Sequence, residues 1–575
     1  MAGRPAQRQN VRMSSPLVRT AALALAAAGC AVDPGPAPPA GAASDPALLL
    51  SELAPADSSA AGRSAQPLDL LDAPARCDAV ARATHPPVRI ARAQFIDDGT
   101  AFALDGAGRP VGDALPAHCR VNGRIDAEAG PPTAFELRLP ARWNGRFLQQ
   151  GRDADRLDVP EAIGRGTGAG GLERTALSDG FAVLSSDAGH TDPLVALGPL
   201  QARELADRAL AGAVRAGQAL VAAFYGRPAD RSYHSGCGDG GRDGLLFAQR
   251  WPEVFDGIVA VAPTLHETTS AAAGVWALQR LAAAGPPARA GRPAEPPTLA
   301  VEEMFLLAQA VLAQCDALDG VADGFVMDMA GCRFDAAALA CTAGRTDACL
   351  SRPRLDALAQ AMAGPQDAAG AALYAPWPWD PGLASPGWRA WALGADARRG
   401  ERAAAVLGRL VAAPPPTKIG VGRFDVARDT PRLQAVREAE AAFASAPLHA
   451  FRAREGRLLL VHGAADPVVS PWSTLAFQRL HSAAHAGAET EASDEHVRSF
   501  IVPGMNHCSG GPATDRFDAL AAVVQWVEHA RAPERIEARG SAVLRDETRP
   551  LCPWPRVARY GGQGPPGHAS SHRCE

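Results

Sequence analysis

The segment Tyr233-His234-Ser235-Gly236-Cys237-Gly238-Asp239-Gly240-Gly241-Arg242 has the spacing of a nucleophile elbow. In such a turn, small residues two before and two after a strained residue let its side chain stand clear of the backbone. Gly236 and Gly240 supply the small flanks, but the residue between them is Gly238, which has no side chain to attack with. Two later segments offer the complementary groups. Arg457 to Pro467 is a leucine and β-branched run ending in a turn that presents Asp466, and Ser499 to Gly511 puts His507 on a loop directly after another strand. An acid that orients an imidazole, and an imidazole that takes the nucleophile's proton, are the other two parts of a hydrolytic triad. The expected catalytic positions are Gly238 (the nucleophile position, serine absent), Asp466 and His507. Asp239 is the nearest carboxylate able to form a covalent ester in the serine's place, but it stands one residue out of register, and Ser235 lies three residues early, still on the strand.

The elements that must hold these groups are legible around them. Arg231 to Ser235 reads as the end of a strand, Leu245-Leu246-Phe247-Ala248 as a helix face stopped by Trp251-Pro252, and Phe255 to Pro263 as a short buried strand. Strand, Gly-rich turn, helix and strand, followed by the acid and then the histidine, is the chain order of α/β-hydrolases. The fold class expected is α/β, an α/β-hydrolase fold with a large inserted lid domain. Residues 1–30 read as a signal peptide, 31–70 as a linker, 71–263 as the first part of the core, 264–455 as the lid and 456–575 as the second part.

Another cluster is of a different kind. Cys315-Asp316-Ala317-Leu318-Asp319-Gly320-Val321-Ala322-Asp323-Gly324-Phe325 sets three carboxylates close together, with glycines for sharp turns. Such carboxylates repel unless solvated or paired with a cation, and hard oxygen donors at this spacing suit Ca²⁺. Asp328 reads as a solvated neighbour. Helical stretches are expected over Val301 to Gln314 and Pro353 to Met362, before a tryptophan cluster of Trp377, Trp379, Trp388 and Trp391.

Composition bounds the remainder. A chain of 575 residues with 47% hydrophobic and 21% charged residues buries a large core, and a net charge of −5 gives no reason to propose nucleic acid as a partner. Arg4, Arg8, Arg12 and Arg19 precede an Ala- and Leu-rich run ending at Ala28-Gly29-Cys30, which reads as an export signal too short to span a membrane. Ala28-Gly29-Cys30 also resembles a lipoprotein box, so a lipid anchor on Cys30 is the one membrane contact expected. With Cys30 set apart, ten of the 11 cysteines remain, enough for five disulfides in an oxidising compartment, with a connectivity that sequence alone leaves open. No phosphate loop, zinc signature or flavin motif is present.

Cys237-Gly238-Asp239-Gly240-Gly241-Arg242, His462-Gly463-Ala464-Ala465-Asp466-Pro467 and Pro503-Gly504-Met505-Asn506-His507-Cys508 together resemble the tannase/feruloyl esterase family, and within it the mono-(2-hydroxyethyl) terephthalate hydrolase branch. The resemblance runs from about Cys77 to the C-terminus. It implies hydrolysis of an aromatic-acid ester, with activity lost or much reduced by glycine at 238. The alternative is a non-catalytic aromatic-ester or aromatic-acid binding protein on the same fold. A monomer is expected. The resemblance implies a disulfide between Cys237 and Cys508. It also implies Cys77 with Cys119, Cys315 with Cys332, Cys341 with Cys349, and Cys552 with Cys574. Backbone N–H groups of Asp239 and Ala154 would form the oxyanion hole. Arg152, Asp153 and Asp155 stand in that second loop, where small residues belong, and a negative side chain there opposes a developing oxyanion. For calcium, the resemblance implies the side chains of Asp316, Asp319 and Asp323 with the carbonyls of Val321 and Phe325. It places an aromatic acid under the lid, against Trp391, with a lid arginine among Arg398, Arg399 and Arg402 for a substrate carboxylate. The closing segment from Arg549 to Tyr560 would strap the chain end onto the core.

Overall fold

Gly257–Val261 and Arg457–Gly463 are buried along their whole length, as near-continuous apolar strands must be when helices cover both faces of a sheet. They lie at the centre of a computed structural model that describes residues 65–575, apart from 84, 105–108, 127–131, 152–158, 166–173, 188–198, 285–298, 345–346, 368, 391–402, 404–405, 409–423, 484–493 and 542–543. The strands of the main sheet are β1 (Val88–Ile96), β2 (His118–Ile125), β3 (Thr133–Pro140), β4 (Arg146–Gln150), β5 (Ala182–Ser186), β6 (Arg231–Cys237), β7 (Gly257–Val261), β8 (Arg457–Gly463) and β9 (Val497–Val502). Their spatial order is β9-β8-β7-β6-β4-β5-β3-β2-β1. From β9 to β5 every pairing is parallel, and from β5 to β1 every pairing is antiparallel.

Alternation along the central strands divides the core. Ile258, Ala260, Leu458 and Leu460 pack on one face in a cluster with Val80 of α1 (Ala73–Arg82), Val221 and Phe224 of α2 (Pro199–Tyr225) and Phe247 of α3 (Asp239–Arg250). Val259, Val261, Leu459 and Val461 face the other way, towards Phe500, Phe517 and Val523. Cys237 pairs with Val261, and Gly463 with Val502, so the carboxyl ends of β6, β7, β8 and β9 open on one edge of the sheet. That edge is where ligands bind in open parallel sheets.

Between β7 and β8 the chain builds helices, including α4 (Glu267–Ala283), α5 (Val301–Cys315), α6 (Arg352–Ala363) and α7 (Gln434–Ser445). Both expected helical stretches form, as α5 and α6. This connection has a core of its own, in which Met304, Leu307, Leu355, Leu358, Trp377 and Trp388 pack together and meet Ala465. At the amino end, Leu68 pairs with Trp143, and Leu70 N–H donates to the Ala141 carbonyl at 2.9 Å. The linker expected to run to 70 therefore gives way to seated chain a few residues earlier, because Ala65 and Leu70 find buried positions. Among the described residues no helix is long and apolar enough to cross a membrane.

All five disulfides form with the implied connectivity: Cys77–Cys119, Cys237–Cys508, Cys315–Cys332, Cys341–Cys349 and Cys552–Cys574. The last ties the chain end back, where Thr548–Leu551 also pairs with Ile536–Arg539.

Candidate active site

The turn from β6 into α3 is held by close backbone packing. A Cβ on Gly151 would come within 2.7 Å of the Gly236 Cα, and one on Gly236 would collide with the Gly240 carbonyl, so neither position admits a side chain without moving the backbone. Gly238 sits at the tip with φ 57° and ψ −112°, a conformation costly for any L side chain and free of strain for glycine. Its N–H donates to the Val261 carbonyl, and its carbonyl accepts from Arg242 N–H, both at 2.9 Å. Asp239, Gly240 and Gly241 precede that first helical bond, which puts the N–H groups of the α3 N-terminus at the tip.

Asp466 hangs from the turn after β8 and is fully buried. Its Oδ1 accepts from Val468 N–H at 2.7 Å and Val469 N–H at 3.0 Å. Its Oδ2 lies 2.7 Å from Nδ1 of His507 and 3.1 Å from Nε2 of His462. Burial alone would raise the carboxyl's pKa, but His507 and the hydrogen bonds from His462 and His507 outweigh it and hold the group well below the usual carboxylate range. His507 stands on the loop after β9, closed by an Asn506 N–H bond to the Gly510 carbonyl and a Gly510 N–H bond to Asp515. The Cys237–Cys508 bridge joins that loop to the elbow, and Cys508 takes a positive φ of 64° to reach it. A Cβ built on Gly238 would lie 3.1 Å from Nε2 of His507. The three expected positions, separated by up to 269 residues in the chain, therefore meet at one edge of the sheet.

Sequence reasoning assigned His462 no part, although it stands in the His-Gly-Ala-Ala-Asp run. It is fully buried, with Nδ1 2.8 Å from Thr474 Oγ1, and its Nε2 shares the Asp466 Oδ2 with His507. A histidine at the end of an otherwise apolar strand, four residues before the acid, was the available signal. Two tryptophans of the cluster act on the same turn. Trp377 donates its indole N–H to the Asp466 carbonyl at 3.0 Å, Trp388 donates to the Ala465 carbonyl at 2.7 Å, and the Ser385 hydroxyl pairs with the Asn506 side chain. Buried Asp380, its pKa pushed up to about 6 by burial, accepts from Gly504 N–H at 3.1 Å, one more tie between the β7–β8 connection and the histidine loop.

Ser235 is buried within β6, and Asp239 opens α3. Ala154, Arg152, Asp153 and Asp155 lie outside the described residues, as do Trp391, Arg398, Arg399, Arg402 and Cys30. The cluster of Cys237, Cys508 and His507 resembles a metal site in composition, but the two sulfurs are bonded to each other.

The acidic loop follows α5. Asp316 accepts from Asp323 N–H at 3.0 Å and Gly324 N–H at 2.9 Å, and Asp319 Oδ1 accepts from Val321 N–H at 3.2 Å. Asp319 Oδ2 is buried with no hydrogen-bond partner, and burial pushes this carboxyl up to about 6. Asp323 Oδ2 pairs with Arg549 at 2.8 Å, and Asp328 takes Gly331 N–H and an ion pair with Arg559. Crowded hard oxygens with one buried orphan form a donor set that fits Ca²⁺.

A mostly parallel sheet with an elbow after β6, an acid after β8 and a histidine after β9 defines an α/β-hydrolase. The profile of the "Tannase and feruloyl esterase" family matches residues 119–575, and the chain belongs to that family. It is 38% identical over 520 residues to the mono(2-hydroxyethyl) terephthalate hydrolase of Piscinibacter sakaiensis, covering 80% of this chain and 85% of that one. It is 34% identical to an uncharacterized esterase of Xanthomonas campestris, covering 88% and 92%. Feruloyl esterase B from Aspergillus oryzae superposes with a TM-score of 0.71 at 22% identity, covering 88% of this chain and all of that one, which bears on the fold.

Proposed function

We propose that the protein is a carboxylic ester hydrolase acting on esters of aromatic acids, and that glycine at 238 holds its turnover far below that of a serine enzyme. The observation that carries this reading is the preserved pair of Asp466 and His507, with Nε2 aimed at the place where a side chain on residue 238 would begin. In this pair the Nδ1–H donates to Asp466, which leaves Nε2 as the proton acceptor. Asp466 stabilises the imidazolium that forms on proton uptake, and the N–H of Asp239, with that of Ala154, is assigned to the oxyanion. Removing the nucleophile from such a triad lowers turnover by roughly a millionfold, with about a thousandfold over water remaining from binding and the oxyanion hole.

The β7–β8 connection is assigned as a lid over the site, with Trp391 against the aromatic acid, and the acidic loop as a calcium site held by Asp316, Asp319, Asp323 and the carbonyls of Val321 and Phe325. Bound calcium would supply charge balance and rigidity to the loop. Five disulfides and the leader-like start support export, with lipid attachment at Cys30 part of the same reading. Gly238 itself favours a second reading, a non-catalytic protein that binds an aromatic ester or acid. Hydrolysis of methyl ferulate by the wild type, Gly238→Ser and His507→Ala separates the two. The hydrolase reading expects a slow wild-type rate abolished by His507→Ala and a gain of at least a hundredfold in Gly238→Ser. Equal, near-zero rates for the wild type and His507→Ala leave only the binding protein.

A further inference from the structure

We propose that the nucleophile of this hydrolase is a water molecule held between His507 and the hydroxyl of Thr264, in the niche that Gly238 opens at the elbow, and that Thr264 is its positioning residue. The inference rests on the ester-hydrolase reading above and adds the route by which the remaining turnover proceeds.

Two of the three atoms nearest to a Cβ built on Gly238 are polar: His507 Nε2 at 3.1 Å and Thr264 Oγ1 at 3.8 Å. A water oxygen placed there is within hydrogen-bonding distance of the imidazole, and a shift of a few tenths of an ångström brings it to the hydroxyl as well. A held water needs two to four polar partners, and the substrate's own ester group at the elbow adds a further one. Thr264 is fixed to the elbow, because its N–H donates to the Gly238 carbonyl at 3.1 Å. It is half-buried, and among the described residues no hydrogen bond engages its hydroxyl. The neighbouring groups are poor rivals as nucleophiles. The Cys237 sulfur, 3.9 Å from Nε2, is spent in the disulfide, and Ser235 is buried in the sheet.

The proton inventory closes with groups already in place. The Nδ1–H of His507 is committed to Asp466 Oδ2, so Nε2 accepts a proton from the water as its oxygen bonds to the ester carbonyl carbon. The carbonyl π electrons move onto its oxygen, beside the N–H groups at the start of α3. Collapse of the tetrahedral adduct breaks the acyl C–O bond, and the departing alkoxide takes the proton from Nε2. One water is consumed, one acid and one alcohol are released, and no acyl-enzyme forms. In this route Thr264 accepts no bond from substrate; it sets the direction from which the water attacks.

A cycle of variants on methyl ferulate tests this. Thr264→Val, of nearly the same shape, is expected to lower kcat about tenfold with KM unchanged, the loss of one hydrogen bond to the reacting water. Thr264→Ser is expected to stay within about twofold of the wild type. In the Gly238→Ser background, where a side chain fills the niche and attack is covalent, Thr264→Val should change kcat by less than about twofold. Mass spectrometry during turnover should find an acyl group at position 238 of the Gly238→Ser variant and none on the wild type. An equal loss in both backgrounds would show a structural role and overturn the proposal, as would an acyl adduct on Thr264 or a Thr264→Val variant with wild-type kcat. A wild type no faster than His507→Ala would instead bring down the hydrolase reading on which the proposal stands.

Discussion

Two buried aspartates, one at each functional loop, are treated in opposite ways. Asp466 has both oxygens satisfied, by two backbone N–H groups and two histidines, and is held as a carboxylate. Asp319 has one oxygen on Val321 N–H and the other on nothing, with Asp316 and Asp323 adding like charge to its burial, and its pKa rises to about 6. Both are removed from water, so burial does not explain the difference; the number of donors does. A carboxylate with a complete set of donors is finished by the fold. One left with an orphan oxygen is open to a further partner, the place proposed for calcium.

The largest expected effect tests the finished site. In the Gly238→Ser background, Asp466→Asn should lower kcat on an aromatic ester by on the order of 10⁴-fold, because the amide can hold His507 in the wrong tautomer and cannot stabilise its charge. A loss below tenfold would show that His462 or another group does the orienting. The acidic loop is tested by calcium itself. Saturating Ca²⁺, at about a hundred times its dissociation constant, should stabilise the chelator-treated wild type by about 2.7 kcal/mol in denaturant unfolding. The same titration of Asp319→Asn should give little or no shift. Without calcium, Asp319→Asn should be at least as stable as the wild type at pH 7, since it removes a buried charge with an unsatisfied oxygen; marked destabilisation would mean Asp319 is already complete.

The smallest effect is a pH signature of Asp466. Its folded pKa is depressed, so its contribution to stability is fully present above the ordinary carboxylate value of about 3.9 and is lost as pH falls through the lower folded value. Unfolding measured from pH 7 down to pH 2 should show the stability gap between wild type and Asp466→Asn constant near neutrality and closing only at strongly acid pH. A gap that closes near pH 6 would contradict the geometry of four donors around that carboxylate.

Much of the site is legible because strand ends announce themselves. The run Leu458-Leu459-Leu460-Val461 stops at a glycine and an aspartate, and Phe500-Ile501-Val502 stops at Pro503-Gly504 before His507, so each candidate side chain marks the exit of a buried strand. Cys237 and Cys508 could be paired only by likeness to relatives, since ten cysteines admit many connectivities and 271 residues separate these two. The roles of Trp377 and Trp388 were not legible for a different reason. Each works through a hydrogen bond to a turn distant in sequence, 89 and 77 residues away, and nothing in its local pattern tells that bond from ordinary core packing.

Residue types, chain order and the absence of a side chain at 238 are properties of the sequence, and they were enough to define an α/β-hydrolase short of its nucleophile. Proximity is not such a property. That Nε2 of His507 and the hydroxyl of Thr264 converge on the point a Cβ of residue 238 would occupy depends on parallel pairing of β6, β7, β8 and β9 in one register. Only the folded sheet sets those ends side by side, because each strand's neighbours are chosen by long-range packing of its two apolar faces.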